Sequence, residues 1–173
     1  MESRDTLNLA EFFDGLEDYV VVKYSGLDYS PGSDIDIFAK DINELAKSIL
    51  GVSNKYDFVV YVDTTPNHIY IDFHRNGKLH FRFDIHGSLP IYTKFSVKPE
   101  LFTDAIAGAE KDGPVYVPSQ EQDLLIRFLE YAEWIDRRPD KVKHLHYIQS
   151  VCSVEDLEIS RYTNLVLERD CDK

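Results

Sequence analysis

The most informative stretch of the sequence is GSDIDI, residues 32–37. Its alternation of polar and apolar residues predicts a β-strand, because successive side chains of a strand point to opposite faces. Ile35 and Ile37 then face the core, while Asp34 and Asp36 share the other face, about 6.6–6.8 Å apart along the chain. Two neighbouring carboxylates repel each other unless a cation lies between them, and their oxygens are the ligands that Mg²⁺ prefers.

A third carboxylate occurs in the same alternating context. Asp84 lies between Phe83 and Ile85, so it is expected on the polar face of a later strand. Three carboxylates from two strands can hold two cations ~3.5–4 Å apart, the arrangement used in phosphoryl displacement. The Gly32-Ser33 turn before the first pair has N–H groups that can meet a phosphate. An Asp-x-Asp pair alone is more often a solvated strand face, but the Gly-Ser turn, the third aspartate and a preceding strand with the composition of a buried one all favour the functional interpretation.

Composition limits the classes of protein to consider. The chain has 173 residues, a formal net charge of -12 and 43% apolar residues, which is the composition of a globular domain. The acidic excess argues against sequence-independent nucleic-acid binding, which relies on Lys and Arg. No apolar run approaches the ~20 residues of a membrane helix. No secretory signal is evident either, so we expect a cytoplasmic protein with Cys152 and Cys171 reduced.

The pattern along the chain predicts an α+β fold with a mixed, mainly antiparallel sheet and flanking helices. Strands are predicted over residues 19–25, 34–39, 56–63, 68–74 and 78–85. Helices are predicted over residues 7–16, 41–50, 100–110, 120–137, 140–152 and 154–169, with Asp41 and Asp140 as N-caps. We expect a catalytic core over residues 1–100 and a helical C-terminal subdomain over residues 101–173 packed on it.

The turn between the last two strands can be predicted from parity. A two-residue Asn-Gly loop would pair Phe73 with His80 and place the apolar faces of the two strands on opposite sides. A three-residue loop over 75–77, with Gly77 left-handed, keeps these faces together. The sequence therefore predicts the three-residue loop.

The order of these segments resembles a known family. YVVVKYSG (19–26), a short turn, GSDIDIF (32–38), a helix and the later FDIHG (83–87) resemble the nucleotidyltransferase superfamily typified by DNA polymerase beta. The closer likeness is to its small stand-alone members associated with polysaccharide and capsule biosynthesis, which have a later helix similar to RRPDKVKH (137–144). The resemblance covers about residues 19–150, and GSDIDIF is its specific block.

The resemblance implies a role for each residue of the motif. Asp34, Asp36 and Asp84 would be metal ligands, with Asp84 also the general base. Gly32 and Ser33 would lie near the triphosphate of a nucleotide.

Other members carry Gly-Ser about ten residues upstream of the aspartates, at the start of a phosphate-binding helix. Here the order is Ser25-Gly26, and the loop to the aspartates is short. The missing phosphate contacts must then come from cations elsewhere. The candidates are Lys23, Arg82, Lys141, Lys143 and His144, of which the last three belong to the most basic segment of the chain. A solvated helix start is the alternative interpretation of that segment.

Four histidines, at positions 68, 74, 80 and 86, fall on the polar faces of the predicted strands. A zinc site needs three or four convergent ligands, and strand positions i and i+6 are too far apart for one ion. We therefore expect cross-strand hydrogen bonds from most of them, and substrate contact from His86.

The leading hypothesis is a Mg²⁺-dependent nucleotidyltransferase, with Mn²⁺ as a possible substitute. It would move an NMP from an NTP to a hydroxyl or phosphate acceptor. A protein-modifying nucleotidylyltransferase of the antitoxin-like kind is the second hypothesis. A nucleotide-binding module without turnover is the third.

Overall fold

The computed structural model describes residues 6–165, and it has the α+β fold that the sequence predicts. Its strands are β1 Leu7–Asn8, β2 Tyr19–Val21, β3 Asp28–Tyr29, β4 Ser33–Ala39, β5 Val59–Thr65, β6 His68–Arg75, β7 Lys78–His86, β8 Phe95–Val97, β9 Glu110–Asp112, β10 Val115–Val117 and β11 Thr163–Leu165. Its helices are α1 Ala10–Phe13, α2 Ile42–Ser53, α3 Glu100–Ala107, α4 Gln120–Trp134, α5 Val142–Val151 and α6 Ile159–Tyr162. Short 3-10 turns occur at Pro139–Lys141 and Val154–Asp156.

Five strands form the central sheet, in the order β2-β4-β7-β6-β5. The neighbours β4 and β7 are parallel, and every other adjacent pair of this sheet is antiparallel. Parallel neighbours require a crossover connection, which here begins with α2 and continues through β5 and β6. This topology brings the predicted strands of Asp36 and Asp84 side by side.

The two faces of the sheet are covered by different helices. On one face, Ile35, Ile37 and Phe83 are buried in a core that includes α1 and α2. On the other face, Val20 and Phe38 pack with residues of α3 and α4. Each fully buried side chain of this size contributes roughly 1.5–3 kcal/mol. The remainder of the second face carries the half-buried polar residues of β4, β6 and β7 together with the exposed Asp34.

The β6–β7 hairpin corrects the predicted turn. Arg75 pairs with Lys78, so the loop is the two-residue Asn76-Gly77, with φ values of 53° and 73°. Positive φ at both positions defines the type I′ turn that Asn-Gly favours. The apolar faces still match, because a bulge follows and Phe73 pairs with Phe81. The three-residue loop was wrong, whereas the left-handed Gly77 and the shared apolar face are confirmed.

Gly77→Ala should destabilise the protein by about 1–2 kcal/mol, because an L residue pays this cost in the left-handed region. Gly51 is the matched control: it lies in α2, and a Cβ added there meets nothing within 4 Å. Gly51→Ala should instead stabilise by roughly 0.5–1 kcal/mol. Urea denaturation of both variants measures the difference, and equal effects would contradict the turn assignment.

Two predicted elements near the N-terminus are shorter than expected. The helix predicted over residues 7–16 is limited to α1, because β1 pairs with β3. The strand predicted over residues 19–25 ends at Val21, and Lys23 has a left-handed backbone with φ of 55°. Lys23 and Ser25 therefore do not continue a regular strand face.

The helical second half agrees in part. A capping box at Ser119 starts α4, which matches the predicted helix over residues 120–137 except for its last turn. Asp41 caps α2 as predicted. Asp140 does not cap α5, because its carboxylate accepts two hydrogen bonds from Arg138 and a 3-10 turn precedes the helix.

The predicted helix over residues 154–169 is wrong for its described part, where α6 leads into β11, which pairs with β8. Residues 166–169 of that prediction lie outside the described residues. The division into core and subdomain at residue 100 stays a prediction.

Candidate active site

The three predicted carboxylates come together on the polar face of β4 and β7. Asp36 lies directly opposite Asp84, and Asp34 lies opposite Arg82, in the parallel pairing of these strands. Neighbouring strands are about 4.8 Å apart, but the oxygens of Asp34, Asp36 and Asp84 do not all lie within 4.8 Å of one another, so a shared cation would have to draw them together. Ile35 between the two aspartates is 1% exposed, as the alternation requires. The predicted adjacency is confirmed, and the roles of the aspartates as metal ligands stay a prediction.

Asp34 has the electrostatic character of a residue that lacks a counterion. Burial raises the pKa of its carboxyl above the usual range, Asp36 raises it further, and Arg82 lowers it in part. No ion pair to Asp34 is present among residues 6–165. A divalent cation would relieve this repulsion, and a set of carboxylate oxygens fits Mg²⁺.

Lys23 is the cation nearest to Asp36. Its Nζ lies 3.0 Å from Asp36 Oδ2 and 3.9 Å from Glu130 Oε1. Its backbone N–H donates to Asp123 Oδ1 at 3.1 Å, which holds the left-handed turn after β2 against α4. Burial lowers the pKa of Lys23, but Asp36 and Glu130 outweigh burial and raise it overall. Lys23 is therefore a charged group fixed between the sheet and α4.

Glu130 connects this lysine to the basic segment. Lys141 Nζ lies 2.5 Å from Glu130 Oε1, so one carboxylate oxygen faces two ammonium groups. The sequence interpretation missed Glu130, although a signal existed. Glu130 follows Ile126 by one helical turn, and Ile126 is 2% exposed, so an acidic residue falls on the buried side of α4.

The other two residues of the basic segment differ from Lys141. Lys143 is exposed. His144 is 4% exposed, and neither ring nitrogen has a hydrogen-bond partner in the described part of the chain. Burial, together with the charges of Lys23 and Lys141, lowers the pKa of His144 to about 3. A neutral buried imidazole with an unpartnered N–H can donate to an anionic ligand.

The lowered pKa of His144 predicts an acid-sensitive fold. The unfolded chain takes up a proton near pH 6.5 whereas folded His144 stays neutral, so the free energy of unfolding falls as the pH falls. Between pH 7 and pH 5, the free energy of unfolding of the wild type should fall by about 2 kcal/mol more than that of His144→Leu. Urea titrations at both pH values measure this, with exposed His146→Leu on the same helix as the control. Equal losses in wild type and His144→Leu would contradict the assignment.

Arg82 is held in place by its own strand pair. Its Nε and Nη2 donate to the two oxygens of Asp72, both at 2.7 Å, and its guanidinium lies 4.7 Å from the ring centre of Tyr70. This bidentate contact orients the guanidinium beside Asp34. Asp72 and Tyr70 are supporting residues that the sequence interpretation did not assign.

The loop before β4 does not have the free N–H groups that were expected. The N–H of Gly32 donates to the carbonyl of His80 at 2.6 Å, and the N–H of Ser33 donates to the carbonyl of Ser30 at 3.2 Å. The Ser33 hydroxyl also donates to Ser30. The expectation of free N–H groups was therefore wrong, because the N–H of Gly32 is bonded to β7 and that of Ser33 to its own loop, whereas the place of Gly32 and Ser33 near a triphosphate stays a prediction. Ser25 contacts the hydroxyl of Tyr29.

Gly26 has φ of 119° in the connection before β3, a backbone conformation that only glycine adopts readily. The roles of Ser25 and Gly26 at a phosphate stay predictions.

Two histidines converge on Asp84. His68 and His86 are directly opposite each other on β6 and β7, and their rings stack with centres 4.2 Å apart. His68 Nε2 contacts Asp84 Oδ1, and His86 Nε2 lies 2.9 Å from the same oxygen. Burial raises the pKa of Asp84, but these hydrogen bonds outweigh burial and hold the pKa below its usual value.

The ligand atoms of these three residues lie within 4.8 Å of one another, close enough to hold a metal ion. Histidines six positions apart on one strand are too distant to share an ion, as expected. His68 and His86, however, lie on different strands and face each other across the β6–β7 hairpin. The expected cross-strand hydrogen bonding is confirmed for His68, whereas His86 contacts Asp84 within β7 and its contact with substrate stays a prediction.

An apolar cavity of about 560 Å³ begins one residue after His86. Its lining includes Leu89, Tyr92 and Phe102. Burial raises the pKa of the Tyr92 hydroxyl, and the negative charges of Glu130 and Asp36 raise it further, so Tyr92 connects the cavity to the carboxylate cluster. A cavity of this size accommodates a small organic molecule.

Comparisons with protein-family models, curated proteins and solved structures find no match to this chain. Over the described residues, no helix is both long and apolar enough to cross a membrane. Cys152 forms no disulfide within residues 6–165, and Cys171 lies outside the described residues. The functional assignment consequently depends on the fold and on the chemistry of the carboxylate site.

Proposed function

We propose that the chain is a Mg²⁺-dependent nucleotidyltransferase that moves an NMP from an NTP to a hydroxyl or phosphate acceptor. The observation that carries the proposal is the parallel pairing that sets Asp36 opposite Asp84, with Asp34 on the same face. The sequence resemblance around GSDIDIF supports the same class. So does the raised pKa of Asp34, which favours an added cation.

Asp34, Asp36 and Asp84 would hold the metal, which supplies Lewis-acid polarisation and charge neutralisation at the phosphates when bound. The protein contributes mainly position and electrostatics. Asp84 is ionised at neutral pH, because His68 and His86 hydrogen-bond to it, so it can accept the proton of an acceptor hydroxyl.

The triphosphate would lie between the sheet and α5. Lys23 and Lys141 present ammonium groups on either side of Glu130, and Arg82 is oriented beside Asp34. The unpartnered nitrogens of His144 supply a neutral donor. Because the N–H groups of Gly32 and Ser33 already donate to the carbonyls of His80 and Ser30, these side chains would replace a backbone phosphate grip.

Two alternatives differ in the fate of the nucleotide. A protein-modifying nucleotidylyltransferase would transfer the NMP to a protein side chain. A nucleotide-binding module would bind without releasing pyrophosphate. The apolar cavity beside His86 favours a small acceptor with an apolar body, because a cavity selects for a molecule that fills it.

The experiment is an assay of pyrophosphate release from each of the four NTPs with Mg²⁺. Each NTP is tested alone, with a pool of small hydroxyl and phosphate metabolites such as sugars, and with a protein fraction. Release that requires the metabolite pool supports the proposal, and release that requires the protein fraction supports the protein modifier. Binding without release in any mixture supports the module. The absence of both binding and release contradicts all three.

A further inference from the structure

His68, Asp84 and His86 form a second candidate site, which is independent of the proposed function. Both imidazole Nε2 atoms point at one carboxylate oxygen, Asp84 Oδ1. The three side chains are only 17% to 21% exposed, so their positions are fixed by the surrounding sheet. The stacking of the two rings, with an interplanar angle of 12°, keeps both nitrogens on the same side.

We propose that this group binds a divalent transition metal of the Zn²⁺ type, with Nε2 of each histidine and Oδ1 of Asp84 as ligands. Two imidazoles and one carboxylate are a donor set for zinc and its neighbours in the transition series, whereas Mg²⁺ prefers oxygen ligands alone. Three protein ligands leave a coordination position for water or substrate, as in catalytic zinc sites.

The contact of His86 with Asp84 requires little rearrangement to admit a metal ion, whereas the closer contact of His68 must lengthen. Ligand atoms around a four-coordinate zinc are roughly 3.3 Å apart, given zinc–nitrogen bonds of about 2.0–2.1 Å. The His86–Asp84 contact of 2.9 Å would widen only slightly. Because both histidines contact Oδ1, they leave the second oxygen of Asp84 unengaged by this group. The proposed site therefore adds to the carboxylate cluster without replacing it.

The test uses Co²⁺ as a spectroscopic substitute for zinc in the untagged full chain. We expect one Co²⁺ per chain, the intense visible absorption of four- or five-coordinate cobalt, and retention of that absorption in a large excess of Mg²⁺. Added Zn²⁺ should abolish the absorption by displacing the cobalt. Pale, six-coordinate cobalt, or displacement by Mg²⁺, would overturn the proposal without any variant.

Variants then assign the ligands. His68→Ala and His86→Ala should each weaken Co²⁺ binding at least about a hundredfold, since even outer-sphere partners change metal affinity by 10–100-fold. His74→Ala and His80→Ala are matched controls on the same two strands and should bind like wild type. Circular dichroism checks the fold of each variant, and His86→Asn replaces His86→Ala if the latter does not fold. Unchanged binding in the folded His68 and His86 variants, or equal losses in the controls, would overturn the assignment.

Discussion

Asp34→Asn is expected to abolish nucleotidyl transfer while raising the melting temperature of the metal-free protein. The two effects have one cause, because the Asp34 carboxylate is held beside Asp36 and Asp84 against electrostatic repulsion. Removal of the charge relieves that repulsion and also removes a metal ligand. The loss of activity should be about a hundred- to a thousandfold, the scale of losing one preorganised electrostatic contact. The stabilisation should be small, since Asp34 is exposed.

Asp63→Asn is the control for this variant. Asp63 is an exposed aspartate on β5 of the same sheet, away from the paired carboxylates. The Asp63→Asn substitution should change neither the pyrophosphate release nor the melting temperature. A lower melting temperature for Asp34→Asn would show that its carboxylate is not held against repulsion. Full activity would show that Asp34 is not a ligand of the catalytic metal.

Asp84→Asn should behave differently from Asp34→Asn. If like-charge repulsion were the main effect, Asp84→Asn would stabilise the metal-free protein as Asp34→Asn does. The hydrogen bonds from His68 and His86, however, hold the pKa of Asp84 below its usual value, so the folded state favours the anion. The expected result is lost activity together with a lower melting temperature, which scanning calorimetry without metal measures.

Lys141→Ala should weaken the binding of a Mg·NTP by about 10–100-fold, because a charge-assisted hydrogen bond is worth ~1.5–3 kcal/mol. The structure separates Lys141 from its neighbour in the basic segment. Lys141 is half-buried and contacts Glu130, whereas Lys143 is exposed. Some loss of stability is also expected. Of the two ion pairs that Glu130 forms within the described residues, the variant keeps the longer one, with Lys23.

Lys143→Ala is the control, and it should retain wild-type affinity and stability. Calorimetric titration of Mg·ATP and Mg·CTP into both variants gives the comparison. Equal affinities for wild type and Lys141→Ala would mean that the basic segment is a solvated helix start and that Lys141 is not part of the site. Lys23 and Arg82 would then be the remaining phosphate contacts.

The carboxylate face could be predicted because it depends on local periodicity. Alternation in GSDIDI and in the strand of Asp84 fixes which side chains share a face, and buried Ile35 confirms it. The hydrogen bonding of the loop before β4 could not be predicted from local periodicity. Whether the N–H of Gly32 is free depends on the carbonyl of His80, which is distant in sequence.

The histidine group lies between these cases. Both the predicted loop and the observed turn with its bulge bring His68 close to Asp84 across the hairpin. The sequence thus carries the information, but only when the two strands are considered as a pair. Glu130 is similar, because its importance depends on α4 packing over the sheet, a tertiary contact that periodicity alone does not specify.

The proposed function requires that the face formed by Asp34, Asp36 and Asp84 bind a nucleotide through Mg²⁺. Calorimetric titration of nonhydrolysable analogues of the four NTPs, with Mg²⁺ and again with EDTA, tests it most directly. We predict binding of at least one analogue that is tighter by tenfold or more with Mg²⁺, since each tenfold step corresponds to about 1.4 kcal/mol. Failure of all four analogues to bind with Mg²⁺, or equal affinity in EDTA, would contradict the proposed function.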